Sequence, residues 1–263
     1  MKKKFKLILL KSKLSIMEYF EYRTSLIFYT IGSFTWSLGS IFLQKFLFDQ
    51  IKTIKGWTFG EIALLNAIYN FAFAFFIMFS WGAVYGEFRR AVREGGLDSV
   101  ITKPIPHRLM MTFGHFDITG LFHLIPSTAI LILAFEVQSF NFEIINILLC
   151  LAYFLIGQFV INSIVYLFYA STFWLTSAEH ISAAFWSIES QSKTPLEILP
   201  KSLKIFLLTL IPVGFIAYIP TKALMGDLSP WFLLYTVIFV IILELINRTV
   251  WKAGLKRYES ASS

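Results

Sequence analysis

Charged residues are absent from four long stretches of this chain, 24–44, 62–86, 144–178 and 205–221. A soluble helix alternates apolar and polar faces, whereas an uncharged apolar run of about 18 residues or more matches the length a helix needs to cross the hydrocarbon core. The pattern predicts an all-α membrane protein built as a six-helix transmembrane bundle in one domain, 1–263. Five spans are expected at 24–48, 62–86, 109–135, 144–168 and 230–247. No internal repeat or low-complexity linker interrupts them, and the polar segments are too short to build a second core.

Region 178–226 is readable in two ways. In one, 179–204 is a cytoplasmic loop and 205–221 the fifth span, which keeps Lys193, Lys201 and Lys204 on the positive side. In the other, 178–196 is a short, bundle-buried fifth span, and the segment to 226, punctuated by Pro212 and Pro220, forms paired half-helices at the outer face. Charge counting favours the first.

Charge placement sets the orientation. Residues 1–23 hold seven Lys or Arg against two acids, with Phe5, Ile8, Leu9, Ile16, Tyr19 and Phe20 at spacings of three and four. That pattern predicts an amphipathic helix lying in the membrane interface. Asp49 and Glu61 balance Lys52 and Lys55 after the first span, so that loop is expected outside. Arg89, Arg90, Arg93, Lys103 and Arg108 mark the next loop as cytoplasmic by the positive-inside rule. Glu136 and Glu143 stand without a basic residue in the third loop, which faces outward. Arg248, Lys252, Lys256 and Arg257 follow the last span, so both termini are expected in the cytoplasm of a multi-pass cell (inner or plasma) membrane protein.

Composition agrees. Hydrophobic residues make up 57% of the chain and aromatics 18%, while 15% is charged, against about 25% charged in soluble domains. The net charge of +7 collects at span ends rather than along one face, so nucleic acid is not an expected partner. The single cysteine, Cys150, excludes an intramolecular disulfide. Lys2, Lys3, Lys4 and Lys6 precede an apolar run too short for a secretory signal.

Catalytic signatures are missing. An ATPase needs a glycine-rich phosphate cradle ending in Gly-Lys-Ser/Thr, and Gly95-Gly96 is followed by Leu97-Asp98 instead. His115 and Asp117 fall on different helix faces, as do Asp117 and His123, so no metal-ligand spacing arises. No nucleophile elbow is present, and neither a cofactor nor a metal is expected. Three features remain. Asp117, expected about two turns inside the third span, must face the bundle, a partner or a wet cavity, because a lipid-facing carboxylate is costly. Gln158, Asn162 and Tyr166 recur every four residues and form a polar ridge, either a substrate path or a helix interface. Ser25, Gly32 and Gly39 form a small-residue stripe.

The loop 87–108 is the most informative segment. Glu87, Arg89, Arg90 and Arg93 charge a short helix whose apolar edge is Phe88, Ala91 and Val92. Gly95 and Gly96 then stop and turn it. Asp98 begins a second short turn that Lys103, Pro104 and Pro106 terminate. A charged helix held by Gly and Pro between two spans is stiff enough to transmit a push.

Phe88-Arg89-Arg90 and the run from Gly95 through Leu97-Asp98 to Lys103-Pro104 resemble the corresponding loop of ABC-2 type permeases, the membrane subunits of bacterial ATP-binding-cassette exporters. The runs 195–200, 211–212 and 218–226 and the tail Gly254-Leu255-Lys256-Arg257-Tyr258 are similar to the same group. The resemblance implies a permease without nucleotide-binding residues that pairs with an ATPase subunit and with a second permease, as homo- or heterodimer. It implies that 87–108 is a cytoplasmic coupling helix, with Glu87, Arg89, Arg90 and Arg93 contacting the ATPase, Gly95 and Gly96 shaping the turn, and Leu97 filling an apolar pocket. It also implies that 200–226 forms outer re-entrant helices, the second of the two topologies. The aromatic-rich spans suit a lipid-like or amphipathic substrate. The competing class is an ATP-independent secondary carrier or channel, for which Asp117 is the one suitable buried ionisable group.

Overall fold

The computed structural model describes residues 2–21, 23–81, 106–108, 112, 116–174, 183 and 186–257. In chain order the helices are α1 (Lys2–Glu21), α2 (Arg23–Phe48), α3 (Phe59–Phe76), α4 (Thr119–Val137), α5 (Ile144–Ala170), α6 (Lys201–Thr209), α7 (Tyr218–Leu224) and α8 (Phe232–Arg257). α3 runs on into a π turn at Ile77–Trp81. Tight 3₁₀ turns stand at Ser171–Phe173, Ser190–Lys193, Leu196–Ile198 and Val213–Phe215.

Five helices among the described residues are long and apolar enough to cross a membrane: Thr24–Phe48, Phe59–Trp81, Thr119–Val137, Ile144–Phe168 and Phe232–Arg257. α3 is the central one. Burial covers 78% of its apolar stretch, against 17% for α2 and α8, so α2 and α8 present most of their apolar surface outward. Of the fifth span expected at 178–196, residues 183 and 186–196 are described, and helix there runs to Glu189 before giving way to the 3₁₀ turn at Ser190–Lys193. Region 205–221 is not one helix: α6 ends at Thr209, and a proline-led 3₁₀ turn separates it from α7. At about 1.5 Å per residue neither piece approaches the roughly 30 Å needed to span a bilayer.

Local chemistry fixes the ends. Between α2 and α3 the chain reverses at Lys55 and Gly56, both at positive φ, with Ile54 and Trp57 exchanging backbone hydrogen bonds of 3.0 Å. This is the geometry of a tight hairpin turn. Thr58 then caps α3: its Oγ1 accepts from the Glu61 amide, and the Glu61 carboxylate accepts from the Thr58 amide, a reciprocal capping box. Thr58 Oγ1 also donates to Gln138 Oε1 at 2.6 Å, bringing the far end of α4 beside the hairpin.

Polar groups inside the bundle are matched across helices. Ser37 on α2 donates to Asn70 on α3 at 2.8 Å, and Asn66 donates to Gln44 at 3.1 Å. Gly120 lets α4 lie against α3, since a Cβ there would stand 2.6 Å from the Ala74 carbonyl oxygen. Gly157 on α5 allows the Phe215 carbonyl the same close approach. By contrast, Gly32 and Gly39 of the small-residue stripe meet nothing within 4 Å, so no described helix makes a close backbone approach there.

The third span differs from the sequence expectation. α4 begins at Thr119, and residues 116–118 are not helical, although His107, Arg108 and Thr112 before them are. Asp117 therefore precedes the helix instead of lying two turns inside it. Its side chain accepts from the Thr119 amide at 2.9 Å and from Thr119 Oγ1 at 2.5 Å, the local bonding by which a short acidic side chain outcompetes helix. Its own amide donates to the Met78 carbonyl at 2.9 Å, in the π turn where the regular i→i−4 ladder is interrupted.

Candidate functional site

The loop residues singled out by sequence, Glu87, Arg89, Arg90, Arg93, Gly95, Gly96, Leu97, Asp98, Lys103 and Pro104, lie outside the described residues. The loop's last residues are described, and they anchor it to the bundle. Arg108 forms an ion pair with Glu244 on α8 and donates to Ser163 Oγ on α5 at 2.5 Å. Its guanidinium lies 4.9 Å from the Phe159 ring and 5.5 Å from that of Tyr166. Glu244 also accepts from Arg248 Nε at 2.9 Å, one turn further along α8. Beside this knot the His107 ring stacks on Trp251 at 4.1 Å, nearly parallel, and on Tyr166 at 6.0 Å. Burial and the neighbouring Arg108 charge hold His107 below its usual pKa, so a neutral imidazole is favoured on the indole.

The geometry has a mechanical meaning. Arginine presents a rigid fork that holds several acceptors at once and stacks on rings. Displacing Arg108 therefore pulls on α5 and α8 together.

The ridge on α5 joins helices. Gln158 donates to the Ala72 carbonyl at 3.2 Å and Asn162 accepts from Ser80 in the π turn at 2.5 Å. Tyr166 packs against both His107 and Trp251. Its buried hydroxyl has no hydrogen-bond partner among the described residues.

Asp117 is 3% exposed and lines a cavity of about 450 Å³ between α2, the π turn and the start of α4. The structure thus brings Asp117 together with Ser33, Thr119 and His123, apart from the Gln158, Asn162 and Tyr166 ridge.

The family comparison covers nearly all of this framework. The model described as ABC-2 family transporter protein matches residues 34–262. The chain belongs to the ABC-2 transporter family. It is a multi-pass membrane permease, and membership implies association with an ATP-binding-cassette ATPase. No curated protein and no solved structure matches it.

Against that family frame, Glu244 escaped the reading of the sequence. Glu244 carries the one acidic charge within α8, and an ionisable residue inside an apolar span is itself a signal. Glu189 is 3% exposed, faces Lys193 and hydrogen-bonds with Tyr69 of α3. The Lys193 ammonium lies 5.2 Å from the Trp36 ring and 5.6 Å from that of Tyr69.

A second polar knot joins the hairpin end of the bundle. Trp57 Nε1 donates to Glu197 at 3.0 Å, Lys204 donates to Glu197 at 3.1 Å, and the Tyr218 hydroxyl donates to the same carboxylate. Burial by itself pushes Glu197 up, but the hydrogen bonds from Tyr218 and Lys204 outweigh it and hold the carboxyl below the usual range. Lys222 caps the group, 4.7 Å over the Trp57 ring and 2.8 Å from Asp227. α6, α7 and the Leu196–Ile198 turn are thereby fastened to the α2–α3 hairpin.

Proposed function

We propose that this chain is the permease half of an ATP-driven exporter that moves a lipid-like or amphipathic substrate across the cell membrane. It pairs with a second permease, and both termini lie in the cytoplasm. Loop 87–108 acts as the coupling helix. Glu87, Arg89, Arg90 and Arg93 make charged contacts with the ATPase, Gly95 and Gly96 turn the chain, Leu97 enters an apolar pocket, and Asp98, Lys103 and Pro104 shape the exit. Closure of the ATPases on ATP displaces the loop, and His107 and Arg108 pass that displacement to α5 and α8.

The observation that carries this reading is the fastening of the loop's end to Ser163 and Glu244 within a chain of the ABC-2 family. α1 supports the interfacial assignment: Leu10, Leu14, Met17 and Phe20 recur along one exposed flank, an apolar stripe suited to lipid at the membrane surface. The shortness of α6 and α7, and their attachment to the hairpin end, support a buried fifth span at 178–196 followed by outer re-entrant helices. Irregular backbone at membrane depth is tolerated where protein covers it.

Co-purification tests the docking role. The wild-type chain, expressed with a candidate ATP-binding-cassette ATPase from the same genome, is expected to retain that ATPase in detergent, and Arg90→Glu with Leu97→Asp is expected to lose it. Retention by the double variant rejects the assignment of 87–108 as the coupling element.

A further inference from the structure

The cavity at Asp117 has a chemistry of its own. Its volume of about 450 Å³ lies in the range of roughly 300–1,000 Å³ that small-molecule sites occupy. Tyr29, Trp36, Phe73 and Trp81 supply ring surface, and Asp117 and His123 are its charge-bearing groups among the described residues. Asp117 uses Oδ1 for both hydrogen bonds from Thr119. No described residue donates to Oδ2 or forms an ion pair with the carboxylate. A buried carboxylate lacking a cationic partner is costly, and aromatic faces attract cations electrostatically. Trp36 already does so on one face, where it meets Lys193 at 5.2 Å. That lysine faces Glu189, so among the described residues no lysine or arginine answers the Asp117 charge, and its ionisable neighbour across the cavity is His123.

Access comes from the side. Phe28 is 70% exposed and Trp36 72%, so the α2 wall opens along the flank of the bundle rather than into its packed centre. The cavity lies toward the end where α2 begins and α3 finishes, the half that the positive-inside reading assigns to the cytoplasmic leaflet. A ligand dissolved in that leaflet reaches the carboxylate without crossing water.

We propose that this cavity binds a lipophilic organic cation, a hydrophobic amine or onium ion, with its charge on Asp117 Oδ2 and its apolar body among Tyr29, Trp36, Phe73 and Trp81. The proposal rests on the exporter reading, of which it names the substrate class. An anionic amphiphile of the same shape is rejected, because it places like charge against Asp117.

Equilibrium binding of radiolabelled tetraphenylphosphonium to the purified chain in lipid nanodiscs tests it. Wild type is expected to bind the cation saturably, and Asp117→Asn at least about tenfold more weakly, the loss of one charge-assisted contact. Asparagine keeps an Oδ1 to accept from Thr119, so the turn before α4 is preserved. Trp36→Ala, at an exposed position, is expected to weaken binding about fivefold through the lost cation–π face. Tetraphenylborate, equal in shape and opposite in charge, is expected to show no saturable binding. Equal cation affinity in wild type and both variants, or competition by tetraphenylborate as strong as by unlabelled cation, overturns the proposal. ATPase co-purification is scored separately: an ATPase retained without cation binding sinks this inference alone, and cation binding by a chain that retains no ATPase sinks the exporter reading while the site stands.

Discussion

Arg108 and Glu244 form an ion pair in which each side chain keeps only about a fifth to a quarter of its exposure, 21% and 24%. Removing one partner strands the other, and the loss of hydrogen bonds to a charged group costs about 1.5–3 kcal/mol. Arg108→Ala and Glu244→Ala are each expected to lower the thermal unfolding midpoint in detergent, and the double variant to lose less than the sum of the two. Additive losses in that cycle remove the direct link between loop and α8. Glu197 sets a different test. Its folded pKa is depressed, so its stabilising contribution is present above the unfolded value of about 4.3 and is lost as pH falls through the lower folded value. Wild type is expected to lose thermal stability below about pH 4, and Glu197→Gln to begin less stable and to respond less over that window. Identical pH profiles for the two proteins contradict the assignment. Neither pair was legible in the sequence, because Trp57 and Glu197 stand 140 positions apart and nothing in local pattern relates them.

Elements were legible to the extent that lipid dictates them. The helices at Thr24–Phe48 and Ile144–Phe168 coincide with the expected runs 24–48 and 144–168, since an uncharged run has one stable state in hydrocarbon. Capping escaped that logic. The expected start at 109 reflects apolar content, whereas Asp117 and Thr119 decide where α4 begins through two short hydrogen bonds. The second expected span, 62–86, begins too late for the same reason, because the Thr58 and Glu61 capping box starts α3 at Phe59. The stripe of small residues pointed to the wrong helix for close packing within the chain. Gly120 and Gly157 face backbone oxygens, whereas Gly32 and Gly39 face open space. Gly120→Ala is expected to destabilise the protein by about 1–3 kcal/mol, the cost of overpacking a rigid contact, while Gly39→Ala is neutral or mildly stabilising through helix propensity. Equal unfolding midpoints for these two variants contradict the α3–α4 approach.

For the molecule as a whole, the orientation argument rests on where the basic residues gather. In a Cys150→Ser background, a cysteine at Lys55 in the hairpin turn is expected to react with an impermeant maleimide added to intact cells. One at Lys256, near the end of α8, is expected to react only after the membrane is opened. The reverse pattern inverts the topology. Five apolar helices could be read from apolar length alone, but the path of 186–226 depends on contacts with α3 and the hairpin that no periodicity encodes. The partners of Asn66 and Asn70 have a further consequence for biogenesis. Ser37, Gln44, the Ile62 carbonyl and the Asn66 carbonyl are present once α2 and α3 have been synthesised, and the Lys193 carbonyl, 3.5 Å from Asn66 Nδ2, joins later. The translating ribosome can thus release the first two spans as an already zipped pair, sparing two amide side chains a wait in bare lipid while the remaining helices are made.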